Sequence, residues 1–144
     1  MKLKKNLMLS FLCIILMNTQ CSDDDVTILT DCSEVIIDNN AYETAESDYY
    51  SVVNIVFNGD CLTLDLSASG CDGNTWEFTL IDSGNIAESM PPQRYLKLSL
   101  FNNEACLAVF SREESFDLTP LRVDGTNEVL LNIEGFEEPI LYAY

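Results

Sequence analysis

The sequence predicts an all-β fold, an antiparallel two-sheet β-sandwich (Ig-like) of about seven to eight short strands. Three observations predict it. Apolar residues recur at every second position, as in Leu62, Leu64, Leu66 and Ala68 with Thr63, Asp65 and Ser67 between them, and strict period two marks a strand buried on one face. Turn-forming clusters such as Asn58-Gly59, Gly70-Cys71-Asp72-Gly73-Asn74 and Asn102-Asn103 punctuate these runs at short intervals. Helical spacing is almost absent from Val26 onward. A small β-barrel would show the same spacing and is the alternative.

Taken in order, the chain opens with Lys2, Lys4 and Lys5, followed by an apolar run of eleven residues, Leu7 to Met17, broken only by Ser10. A membrane span needs roughly 20 apolar residues, so this run has the length of a signal-peptide core, and residues 1–20 read as a signal peptide. Asn18-Thr19-Gln20 lacks the small residues of an ordinary cleavage site, whereas Cys21 stands where a lipoprotein signal requires a cysteine. The stretch resembles bacterial lipoprotein signals, with Asn18 in place of the usual Leu and Gln20 in place of a small residue. Ser22-Asp23-Asp24-Asp25 resembles the acidic export tag of surface lipoproteins of the Bacteroidota. The resemblance implies acylation of Cys21, a membrane partner through that anchor, and a surface-exposed place on the outer membrane; secretion or a periplasmic location is the alternative. Residues 21–30 then form a short acidic tether, and residues 31–144 the β-sandwich domain, enough for one core.

Three of the seven basic residues lie in the leader, so four (Arg94, Lys97, Arg112, Arg122) remain against 24 acids, a net charge of −20 after residue 20. Such a charge repels nucleic acid, and no nucleic-acid partner is expected. The chain has no His, which removes Ser-His-Asp and Cys-His machinery and the commonest zinc ligand. Cys32, Cys61, Cys71 and Cys106 form an even set in an exported chain, as in a disulfide framework. Of three pairings, Cys32–Cys61 with Cys71–Cys106 is preferred, each closing a loop of about 30 residues worth roughly 3–4 kcal/mol.

The strand signals follow. Val35-Ile36-Ile37 is a short apolar run, and 38–48 is polar, with Asn39-Asn40 as a turn. Tyr50 to Phe57 is rich in β-branched residues and leads through Asn58-Gly59 into the 62–68 strand, an antiparallel hairpin. Thr75 to Ile81 places Trp76, Phe78 and Leu80 on one face. Residues 82–94, with Gly84, Pro91 and Pro92, read as a long loop, of a length often functional or mobile; its apolar Ile86, Met90, Pro91 and Pro92 are the candidate contact surface, and a crossover between sheets stiffened by Pro91-Pro92 is the equal alternative. Tyr95 to Phe101 alternates, Ala105 to Phe110 returns, and Phe116-Asp117-Leu118 is a short strand or turn stopped by Pro120. Val129, Leu131 and Ile133 mark a further strand, and 139–144 closes the chain at a sheet edge, given Pro139.

Several of these features come in a familiar order: Ser69-Gly70-Cys71, Trp76-Glu77-Phe78-Thr79-Leu80, Glu88-Ser89-Met90-Pro91-Pro92-Gln93, Cys106 after an Asn-rich turn, and Phe116-Asp117-Leu118-Thr119-Pro120-Leu121. From about Tyr50 onward the chain resembles a group of small, uncharacterised Bacteroidota lipoproteins. The resemblance supports the Cys71–Cys106 pairing and the all-β fold, and implies no activity. Members of that group often carry a His after the Gly-Cys turn; Asp72-Gly73-Asn74-Thr75 has none here, so any site built on it is absent.

Trp76, the one Trp, would suit a sugar ring together with Tyr42, Tyr49 or Tyr50, but its strand face is that of a core aromatic. The acidic turns Asn58-Gly59-Asp60 and Asp72-Gly73-Asn74 offer oxygen ligands for calcium, yet these dipeptides are first of all turn chemistry, and no metal site or cofactor is expected. Among 24 acids some pair will lie at glycosidase spacing by chance; nothing in the spacing nominates one. The expectation is a non-enzymatic surface lipoprotein that presents its domain to a protein or envelope partner. A glycan-binding accessory module of a nutrient-uptake system is the alternative, and a small hydrolase comes last.

Overall fold

The computed structural model describes residues 32–144. Within them lie β1 (Ser33–Glu34), β2 (Ile36–Ile37), α1 (Asn39–Thr44), β3 (Ser51–Asn58), β4 (Cys61–Gly70), β5 (Glu77–Ala87), β6 (Gln93–Phe101) and β7 (Ala108–Asp117). A single 3-10 turn at Thr119–Leu121, then β8 (Glu128–Ile133) and β9 (Ile140–Ala143), complete the chain. The strands form two sheets, ordered β1-β7-β4-β3 and β2-β5-β6-β8-β9. Neither closes into a barrel, and the expected sandwich is what forms.

Period two explains the core. Leu62, Leu64, Leu66 and Ala68 of β4 face Phe78 and Leu80 of β5, Leu96, Leu98 and Leu100 of β6, and Val129, Leu131 and Ile133 of β8 in one buried cluster. Each fully buried Leu contributes roughly 1.5–3 kcal/mol relative to exposure. The β3–β4 hairpin pairs Asn58 with Cys61, and Gly59 takes φ 61° at the first of the two turn positions, as a type II′ turn demands. The central pair of the turn is therefore Gly59-Asp60 rather than Asn58-Gly59.

The sheets are mixed in sense. Four pairings are antiparallel, while β1–β7, β2–β5 and β6–β8 are parallel. The chain leaves β6, runs through β7 in the other sheet and returns as β8, so β8 arrives in the same sense as β6. Strands β1 and β2 are one extended run that changes sheet at Val35, whose side chain is buried in the core; switching of this kind joins the corners of sandwiches.

Three local readings are corrected. Residues 39–44 form a helical turn rather than a simple Asn-Asn turn, because Asp38 caps it by accepting from the Ala41 N–H at 2.6 Å. The 82–94 segment is mostly strand: β5 runs to Ala87 and β6 begins at Gln93, with an irregularity between Asp82 and Ile86. Only residues 88–92 loop out, and Ile86 belongs to β5, paired with Arg94. Finally, 105–110 and 116–118 are not two pieces, since β7 is continuous from Ala108 to Asp117 and pairs with the whole of β4. β9 lies at the edge of its sheet, as Pro139 implied.

Candidate functional site

The leader, Cys21 and Ser22-Asp23-Asp24-Asp25 lie outside the described residues, as do the tether and its lipid. Both preferred disulfides are present. Cys32–Cys61 ties the start of the domain to the β3–β4 turn, and Cys71–Cys106 joins the turn after β4 to the segment before β7.

The contact residues nominated by sequence converge on a groove of about 940 Å³, one wall formed by Ile86 and residues 88–92 and the other by residues 123–128. Met90 is fully exposed and Ile86 43 % exposed at its lip. The loop is held by short polar links. Ser89 Oγ donates to the Pro91 carbonyl at 2.6 Å, Gln93 Nε2 donates to Ser89 Oγ at 3.1 Å, and the Leu130 N–H donates to the Pro92 carbonyl at 2.9 Å. Opposite, Gly125 has φ 81°, and Thr126 Oγ1 donates to the Glu128 carbonyl at 2.9 Å. The groove is apolar on the loop side through Ile86, Met90, Pro91 and Pro92, and Glu88, Asp124 and Glu128 supply carboxylates around it. The second wall was missed from sequence because Val123-Asp124-Gly125-Thr126-Asn127 signals only a turn; its facing the 88–92 loop follows from the parallel β6–β8 pairing.

Behind the groove lies a buried ion pair. Arg94 Nη1 donates to Asp82 Oδ1 at 2.9 Å, and the Gly84 N–H donates to the same oxygen at 2.6 Å. Burial pushes the Asp82 carboxyl up, against the opposing pull of the Gly84 N–H and the Arg94 charge.

Trp76 is 2 % exposed and meets Phe78 edge-to-face at 6.3 Å. It is a core residue. Of the tyrosines considered beside it, Tyr42 lies under the Lys97 ammonium, Tyr50 donates its hydroxyl to the Leu98 carbonyl at 3.1 Å, and only Tyr49 is freely exposed, at 86 %. The acidic turns are engaged in folding. Asp72 Oδ1 accepts from the Asn74 N–H, while Asp60 accepts from Arg122 Nη2 and from the Tyr142 hydroxyl. Those two hydrogen bonds hold the Asp60 carboxyl below its ordinary range. Burial and the same contact raise the Tyr142 hydroxyl to about 12. Among the described residues, no three His, Cys, Asp or Glu side chains gather as a metal site.

Sequence reading also missed Glu104. Its carboxylate sits in the turn after β4 and accepts from the N–H groups of Cys71, Asp72, Gly73 and Thr75 and from Thr75 Oγ1. Desolvation raises its pKa, but the Gly73, Cys71, Thr75 and Asp72 donors outweigh it and bring the carboxyl down to about 2. Gly70 is required beside it, since a Cβ there would strike Glu104 Oε2 and the Trp76 ring.

No family model matches the chain, and no curated protein matches it. Solved structures do. A protein of unknown function (DUF1344) from Bacteroides vulgatus is similar at TM-score 0.56 and 13% identity, over 78% of this chain and 56% of that one. A putative toxin-related protein from Parabacteroides distasonis is similar at TM-score 0.50 and 16% identity, over 78% of this chain and 59% of that one. The chain thus spans less than three-fifths of either structure's length. At these identities the likeness is one of fold, and both neighbours come from Bacteroidales, in keeping with the Bacteroidota resemblance of the sequence.

Proposed function

We propose that the chain is a non-enzymatic, lipid-anchored module of the outer-membrane surface that holds a protein or envelope partner in the groove between residues 86–92 and 123–128. The observation that carries the reading is Met90, fully exposed beside exposed Ile86 and half-buried Pro91 and Pro92 on an acidic domain. An apolar centre with a charged rim has the anatomy of a binding patch, and a partner with an apolar anchor and a basic border would fit it. The signal and acidic tag read from the sequence support the anchor at Cys21.

A photo-crosslinker placed at position 90 in cells tests the contact. The expected result is one discrete adduct, absent when Ile86 is changed to Glu and absent when the probe is moved to Tyr95 on the outer face of β6. Radioactive palmitate should label the wild type and not Cys21→Ser. Hydrolysis of a glycoside panel, abolished by Glu88→Gln or Asp124→Asn, would overturn the non-enzymatic reading, because the groove does bring carboxylates together. The glycan-binding alternative loses Trp76 to the core and keeps Tyr49 as its exposed ring; affinity electrophoresis with Tyr49→Ala checks it.

A further inference from the structure

The free edge of the four-stranded sheet carries a second surface. Strand β3 pairs only with β4, and among the described residues no strand covers its other side. A groove of about 930 Å³ runs along that edge, lined by the consecutive residues 49–55 and, on the far side, by residues 135–140. The register shift at Val53 turns this residue out of the ladder, and it is 59 % exposed in the groove wall. Beyond the shift, Ile55 pairs with Leu64 and Phe57 with Leu62. Their side chains therefore share the face of the core leucines, yet both remain more than a third exposed.

Edge strands in soluble proteins are guarded by Lys, Pro or inward-pointing charge. Ser51–Asn58 contains none of these, and its one edge device is the register shift at Val53, which leaves Asn54–Asn58 in regular pairing with β4. The charges lining the groove are of one sign, Glu137 and Glu138, and Asp65 stands beside Asn54 on β4. No basic residue lines the groove, and each of the four basic side chains in the described domain is already ion-paired, to Asp82, Glu134, Glu114 or Asp60.

We propose that the β3 edge receives an extended segment of another protein, which adds as a strand along Ser51–Asn58, places apolar side chains against Val53, Ile55 and Phe136 in the groove, and carries Lys or Arg toward Glu137, Glu138 and Asp65. Main-chain pairing supplies affinity in this mode, and alternate side chains supply specificity. The charge selects the occupant. A second copy of this chain would bring another strongly acidic domain to an acidic rim, whereas a basic strand is drawn to it.

Fluorescence anisotropy with three labelled peptides tests the proposal on the purified chain: one alternating Val and Lys, one of the same composition interrupted by two Pro, and one alternating Val and Glu. The Val-Lys peptide should bind, weakening as salt rises, and the Pro-interrupted peptide should bind at least about tenfold more weakly, since it carries the charge without the strand. Val53→Lys and the pair Glu137→Lys/Glu138→Lys should each weaken the Val-Lys peptide by a similar factor, with the circular-dichroism spectrum unchanged, whereas Leu107→Lys, exposed outside both grooves, should leave it unaffected. Equal binding of the Pro-interrupted peptide, or binding of the Val-Glu peptide, overturns the proposal. So does a dimer that Val53→Lys dissociates, or an edge open to peptide only after residues 22–30 are removed.

Discussion

At the residue scale, the acidic chain uses individual carboxylates as structural parts. Glu104 takes four main-chain N–H donors and a hydroxyl into one carboxylate, and its ionised form is what those donors hold. Its pKa falls from 4.5 to about 2, so its contribution is complete above the unfolded value and is lost as pH falls toward 2. Glu104→Gln should lower the melting temperature at pH 7, and the gap from wild type should close as pH is lowered from about 4.5 to 2, followed by circular dichroism. Asp82 is a different case, fully buried against Arg94. Asp82→Ala leaves the Arg94 guanidinium unpaired and should cost about 3–5 kcal/mol in urea denaturation, whereas Asp82→Leu combined with Arg94→Met should recover most of that loss. Neither carboxylate was legible in the sequence. Twenty-four acids look alike in a string, and what distinguishes Glu104 and Asp82 is the backbone that folds around them.

At the scale of elements, strands whose two faces differ were legible and the others were not. β4 and β6 show in their period-two leucines, β8 in Val129, Leu131 and Ile133, and β3 in its β-branched run closed by a turn. The far half of β5 was hidden because Asp82-Ser83-Gly84-Asn85 carries turn composition, although Asp82 and Ser83 are buried in a strand. The middle of β7, Ser111 to Ser115, does not alternate because no second sheet demands it; that stretch is exposed or only partly buried. The groove was half legible. Ile86 and Met90 stood out as apolar residues among polar ones, but their facing wall depends on a long-range pairing. The two disulfides close loops of similar length, with sequence separations of 29 and 35, so chain entropy alone gives each roughly 3–4 kcal/mol. Cys71→Ala/Cys106→Ala should nevertheless cost more than Cys32→Ala/Cys61→Ala, because the former pair also positions the turn that cradles Glu104. Denaturant midpoints of the two double variants decide this.

On the scale of the whole molecule, charge opposes compaction. Four cations, all paired, stand in a domain whose remaining acids repel one another, and such repulsion weakens the folded state and is screened over about 8 Å at physiological salt. Raising sodium chloride from low to physiological concentration should therefore raise the melting temperature by several degrees, as about 1 kcal/mol moves a domain of this size by roughly 3–6 °C. A Tm that is flat or falls with salt would mean that the ion pairs, not the repulsion, dominate the field.

The Cys32–Cys61 bond has a mechanical meaning. A pull on the chain from its N-terminal side meets that bond first and passes covalently into Cys61, the first residue of β4, which is held along its length by β3 and β7. Strands β1 and β2, with two paired residues each, are the weakest ladders in the sandwich, and the load bypasses them. The same corner receives the other end of the chain, where the Tyr142 hydroxyl of β9 is bound to Asp60. A domain tethered at its N-terminal side and tugged through its loops would thus bear tension on its longest pairings while its short switching strands stay slack.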